Sequence, residues 1–259
     1  MWISVVLLAG ILAGCAAVPA VPMSAAAEAR EIMAPSGRLR VGLYLGGPTS
    51  AIRNADGTLK GVGHDIGREL AQRLGVPFEP VLFERNAEVI EAVKAGRVDA
   101  VFTNATAERM KVIDFSPTCL RIELGYLAPP GSQVRSAAEV DRAGVRVAVI
   151  QGGTSDTVLT RELKQAQIVH ARSVADGVVL LRAGKADVLA SQKANLFEMT
   201  DQLPGSRVLE GNWGFEQQAI GIPQGRSRAL PFLREFAEEA VASGRVRQAA
   251  ERAGLRGAI

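Results

Sequence analysis

Cysteine is almost missing from this 259-residue chain: only Cys15 and Cys119 occur. Two are too few for a structural zinc site, and no disulfide framework is expected. Aromatic residues make up 5% of the chain, which is thin for base-stacking platforms. The 30 Lys and Arg are scattered singly among 27 Asp and Glu, leaving a net charge of +3. A nucleic-acid partner needs massed basic residues interleaved with aromatics, so this pattern argues against one. The two histidines, His64 and His170, stand far apart with no carboxylate or cysteine at metal-ligand spacing, so no metal is expected. Glycine pairs occur at 46–47 and 152–153, yet no P-loop lysine follows them and no complete G-x-G-x-x-G is present. Nucleotide cofactors are therefore not expected. What the chain does have is apolar side chain, 47% of its residues, enough for the core of one large domain or two small ones.

The N-terminal segment reads as an export signal. Residues Trp2 to Leu12 are apolar apart from Ser4, too short a run to cross a bilayer as a helix, and they lead into Leu12-Ala13-Gly14-Cys15. This tetrapeptide resembles the lipobox of bacterial lipoproteins, although no Lys or Arg precedes the apolar run. The resemblance implies a signal peptide over residues 1–14, lipidation of Cys15, and a membrane anchor. From Ala16 to Ser36 the chain is rich in Ala, Pro and Glu, which suits a flexible tether over residues 15–36.

The body carries one pattern twice. Leu39-Arg-Val-Gly-Leu-Tyr-Leu45 and Val145-Arg-Val-Ala-Val-Ile150 both read as short buried strands. Val89 to Phe102 matches Gly177 to Ala190 without a gap: a helical stretch, a glycine (Gly96, Gly184), a basic residue, a small apolar one, an Asp and an apolar strand. The glycines stand where a helix C-terminus favours a left-handed residue. Asp65–Leu74, ended by Gly75, and Ser155–Gln165 are helical in pattern, and helix alternating with strand implies open α/β sheets. The expected architecture is α/β: lobe 1 over 37–124, lobe 2 over 125–214, and a return to lobe 1 with two C-terminal helices over 215–259, broken at Gly244. Two crossovers form a hinge, and the cleft lies beyond the carboxyl ends of the strands.

Residues 37–256 resemble family 3 of the periplasmic solute-binding proteins, which serve polar amino-acid ABC importers. The likeness rests on Leu39-Arg-Val-Gly42, Asp56-Gly-Thr-Leu-Lys-Gly61 leading to Asp65, Ala95-Gly-Arg-Val-Asp-Ala100, Thr106-Ala-Glu-Arg109, Asp114-Phe-Ser116, Gln151-Gly-Gly-Thr-Ser155 and Ala183-Gly-Lys-Ala-Asp187, in that order and spacing. It implies a type II periplasmic-binding-protein-like fold with open mixed sheets. It also implies a monomer in the periplasm or cell envelope, delivering its solute to an inner-membrane ABC permease.

Position alone makes Arg109 a residue that can lie near a helix start capped by Thr106, where a guanidinium can grip a carboxylate in two-pronged fashion. The resemblance places the family's carboxylate-binding arginine on Arg109 and puts Asn104 where a Ser or Thr donor is usual. Thr154 and Ser155, at the start of the second lobe's first helix, offer hydroxyls beside unpaired backbone N–H groups, a second anion site. Where the family carries an acid for the ligand ammonium, this chain has Gln192. Ungapped matching also puts Gly47, Ser50 and Asn86 where aromatics commonly wall the ligand, and Cys119 where a tyrosine is common. The expected ligand is a small carboxylate or amino acid, its ammonium met by Asp156 or Glu123 or absent altogether. Trp213 is expected to pack, and Cys119 to be a buried small hydrophobe. Two other functions share this fold, a cyclohexadienyl dehydratase-like enzyme and a receptor sensor domain. The enzyme needs a titratable group that Gln192 does not supply.

Overall fold

The computed structural model describes residues 24–258, so Cys15 and the export segment lie outside the described residues. The first element, α1 (Ala25–Met33), falls within the stretch expected to be a tether. Ser24 caps it, its Oγ accepting from the N–H of Ala27 at 3.2 Å. Ala29 and Met33 are one helical turn apart and both are buried in the first lobe's core. The folded body thus begins before residue 36, because an Ala-rich segment with one apolar stripe has a surface to dock on.

Lobe 1 is built from β1 (Leu39–Tyr44), the small hairpin β2 (Ile52–Arg53) and β3 (Leu59–Lys60), α2 (Val62–Leu74), β4 (Phe78–Phe83), α3 (Asn86–Lys94), β5 (Ala100–Asn104), the single turn α4 (Ala107–Met110) and β6 (Ile113–Phe115). The long strand β7 (Leu120–Ala128) leads into lobe 2, made of β8 (Arg146–Ile150), α5 (Thr154–Glu162), β9 (Gln167–Ala171), α6 (Val174–Arg182), β10 (Val188–Gln192), α7 (Lys193–Gln202) and β11 (Arg207–Val208). A second long strand, β12 (Gly214–Pro223), leads back to α8 (Leu230–Ala242) and α9 (Arg245–Ala253).

The two lobes repeat one topology. In lobe 1 the parallel strands run β4-β1-β5, with β12 added antiparallel and β6 on its far side. In lobe 2 the order is β9-β8-β10, with β7 added antiparallel and β11 beyond it. Each lobe is therefore completed by a strand that also belongs to the crossing. β7 and β12 pair with each other from Leu120↔Gln218 to Leu124↔Gly214, then diverge, β12 toward Asn104 and β7 toward Gln192. This is a type II two-lobed fold with a two-strand hinge.

Strand alternation places a core on each face of both sheets. Val147 and Val149 pack with Leu159 of α5, while Ala148 between them faces Val178 and Leu181 of α6. In lobe 1, Val41 and Leu43 face α2, α8 and α9, whereas Val89, Val93 and Val101 close the other side. The expected helix stops hold: Gly96 and Gly184 follow α3 and α6 with φ of 65° and 62°. Gly177 has a packing reason as well. A Cβ there would come within 2.5 Å of Leu189 Cδ1, so α6 lies against the sheet only without one.

Candidate functional site

The carboxyl ends of β5, β8 and β10 supply the residues at the cleft, where an open α/β sheet leaves backbone donors unpaired. Arg109 sits in the one turn after β5. Its Nη1 donates to Thr103 Oγ1 at 2.6 Å and to the Asn104 carbonyl at 3.1 Å. Thr106 starts that turn as expected, its Oγ1 accepting from the N–H of Arg109 at 3.3 Å. Thr106 thus shapes the arginine's backbone, while Thr103, which the sequence did not single out, orients the guanidinium. Among the described residues no carboxylate reaches Arg109 at ion-pair distance. Burial pulls its pKa down, and the nearby charge of Glu216 opposes that shift. A desolvated guanidinium with unused donors is a site prepared for an anion, each charge-assisted bond being worth roughly 1.5–3 kcal/mol.

Asn104 is buried, and its amide is divided in use. Oδ1 accepts from the N–H of Gln217 at 3.0 Å, tying β5 to β12, and the NH2 group makes no bond within the described protein. The donor expected from Asn104 is therefore available.

On lobe 2, Thr154 and Ser155 stand at the head of α5, after Gly153 as N-cap. Ser155 is buried, with its Oγ accepting from the N–H of Ile150 at 3.3 Å, so its hydroxyl fastens the loop. Ser50 does the same in lobe 1, accepting from Tyr44 N–H at 2.8 Å. Among the described residues, Thr154 Oγ1 makes no hydrogen bond and no bond links this helix start to Arg109. Asp156 is occupied elsewhere. It accepts from Gly152 N–H at 2.9 Å and meets His170 Nε2 at 3.0 Å, contacts that hold its pKa below the ordinary carboxylate range. Glu123, the other candidate for a ligand ammonium, is paired with Lys193 Nζ at 2.5 Å.

Gln192 joins the lobes. Its Oε1 accepts from Thr49 Oγ1 of lobe 1 at 3.4 Å, and its Nε2 donates to Glu216 Oε2 at 2.5 Å. Glu216 lies on β12, is 6% exposed, and receives a second bond from Gln218 Nε2 at 2.9 Å. The sequence analysis did not single this residue out. The signal was an acid within a segment whose alternation turns every second residue inward.

The remaining expectations fall away from the cleft chemistry. Cys119 is buried, and burial raises its thiol pKa. Trp213 packs beside Tyr126 at 6.3 Å and donates from Nε1 to the Gly125 carbonyl at 2.9 Å. His64 meets Asp65 and the edge of Phe78.

Residues 39–253 match the family model of bacterial extracellular solute-binding proteins, family 3. The chain is 26% identical over 240 residues to the glutamine-binding protein of Geobacillus stearothermophilus, covering 85% of this chain and 91% of the relative. Its structure is similar to that of the solute receptor for L-cysteine of Neisseria gonorrhoeae, with a TM-score of 0.72 and 25% identity over 87% of this chain and 92% of the other. It also shares the fold of an ancestral amino acid-binding protein, a precursor of cyclohexadienyl dehydratase. That match has a TM-score of 0.72 at 23% identity, over 87% of this chain and 98% of the other.

Proposed function

The chain belongs to family 3 of the bacterial extracellular solute-binding proteins, and from that premise we propose that it is the extracytoplasmic binding component of an ABC importer for an amino acid. The ligand carboxylate is received by Arg109 and Asn104 from lobe 1 and by Thr154 with the free N–H groups of α5 from lobe 2. The observation that carries this reading is the unpaired, desolvated guanidinium of Arg109, fixed in direction by Thr103 and the Asn104 carbonyl. Lobe closure about β7 and β12 brings the two halves onto the solute. A lipid at Cys15 keeps the monomer at the membrane, beside its permease. No reaction is assigned to the cleft, and the relatives named above are binding proteins.

Calorimetry with glutamine, arginine and cysteine on the parent, Arg109→Ala and Arg109→Lys tests the site. Arg109→Ala is expected to lose at least tenfold in affinity for the best ligand, ~1.4 kcal/mol or more, because a desolvated carboxylate is left without its counter-charge. Lysine restores only part, since one ammonium does not reproduce the guanidinium fork. Should Arg109→Ala bind as tightly as the parent, the carboxylate site lies elsewhere.

A further inference from the structure

We infer that Glu216, on the returning hinge strand, is the acceptor for the ligand's α-ammonium and the residue that makes the cleft select amino acids over other carboxylates. This rests on the reading of the cleft as an amino-acid site.

Glu216 is a carboxylate almost fully removed from water, and every bond it makes within the described protein comes from a neutral amide. Gln192 and Gln218 both donate to Oε2, and Oε1 has no hydrogen-bond partner among the described residues. A buried charge held by neutral donors alone is costly and calls for a cation. Its charge acts on Arg109, opposing the effect of burial there, and Arg109 makes no ion pair among the described residues. The cleft thus presents one partly buried positive group and one buried negative group within electrostatic reach of each other. A zwitterion satisfies both at once. A carboxylate without an amine neutralises Arg109 and thereby removes the charge that was compensating Glu216, so it binds at a penalty.

The position on β12 adds a coupling. Glu216 opposes Ile122 of β7 in the stretch where the two crossing strands pair, and Gln192 ties it through Thr49 to the first lobe. A cation seated on Oε1 therefore bonds to the hinge and, through Gln192, to both lobes. Asp156 and Glu123 offer no comparable acceptor, because the first is bonded to Gly152 and His170 and the second to Lys193.

The test is calorimetry with the best-binding amino acid among glutamine, arginine and cysteine, set beside the same compound with its α-amine replaced by a hydroxyl. The parent is expected to prefer the amino acid tenfold or more. Glu216→Gln, which keeps shape and removes charge, is expected to weaken the amino acid at least tenfold and leave the hydroxy acid unchanged or tighter. Arg109→Ala weakens both alike. Gln192→Glu sets a second carboxylate against Glu216 and leaves the preference within about threefold, since two acids at that distance share a proton. Glu216→Gln that binds the amino acid like the parent, or a Gln192→Glu gain of tenfold for the amino acid, overturns the assignment while leaving the carboxylate site standing. A parent that binds none of these compounds overturns both.

Discussion

Arg146 grips Asp187 with two nitrogens, Nε to Oδ2 at 3.0 Å and Nη2 to Oδ1 at 2.8 Å, and its own N–H also donates to Oδ2. The remaining guanidinium nitrogen caps the Gly184 carbonyl at 2.7 Å. Lobe 1 contains the same figure: Arg40 holds Asp99 by Nε at 2.8 Å and Nη2 at 2.9 Å, and caps Gly96. In both lobes this fixes the lobe's first long strand, β1 or β8, to the turn that ends its second long helix, α3 or α6. Asp99 differs in being fully buried and in taking a second guanidinium, that of Arg226, at 2.9 Å.

That difference sets an order of stability. Asp99→Asn leaves two arginines facing a neutral amide in the interior, and the cost expected is about 3 kcal/mol or more. The Asp187 carboxylate is about a third exposed, so Asp187→Asn is expected to cost less, within about 1–2 kcal/mol. Urea midpoints of the two variants check the ranking, which fails if Asp187→Asn proves the more damaging.

Acid should weaken the fold through the same group. The Arg146 hydrogen bonds hold Asp187 below the ordinary carboxylate pKa, and the Gly152 N–H acts likewise on Asp156. A depressed folded-state pKa contributes stability above the unfolded value of about 3.9 and loses it as pH falls through the folded one. Melting temperature is expected to drop below about pH 4, with a shallower drop in Asp187→Asn than in the parent.

The proposed closure on ligand is measurable as size. Small-angle scattering is expected to give a smaller radius of gyration with saturating amino acid than without, the motion being taken up where β7 and β12 pair. An unchanged radius at saturation removes the clamp. Thr49→Val deletes the hydroxyl that reaches Gln192 across the cleft, and is expected to speed ligand release severalfold without slowing capture.

On the proposed anchoring, Cys15→Ser is expected to move the protein from the membrane to the soluble fraction, because it removes the sulfur to which the lipid would be attached. A variant that stays membrane-bound and uncleaved rules the lipobox out.

Much of the framework was legible because it rests on local chemistry written twice. A helix that stops at a left-handed glycine and runs into a basic residue, an Asp and a buried strand has one reading, and Gly96 and Gly184 both obey it. Arg40 and Arg146 were visible too, as the second residue of each strand start, but their pairing with Asp99 and Asp187 needed the parallel register that brings them together. Two features were hidden for different reasons. Ala25–Met33 reads as tether from composition, and only the docking of Ala29 and Met33 makes it a helix of the core. Glu216 is inward-facing because β12 is registered against β7 from Gly214 onward, ahead of the apolar run at 219–222 that marks the strand, a fact set by tertiary pairing and absent from local pattern.

The shared strands bear on how the molecule comes apart. Because β12 completes the sheet of lobe 1 while pairing with β7, which completes that of lobe 2, neither sheet can dissolve without stripping an edge from the other. Lobes that rotate as separate bodies under the proposed closure should still melt as one cooperative unit, with calorimetric and van't Hoff enthalpies in agreement.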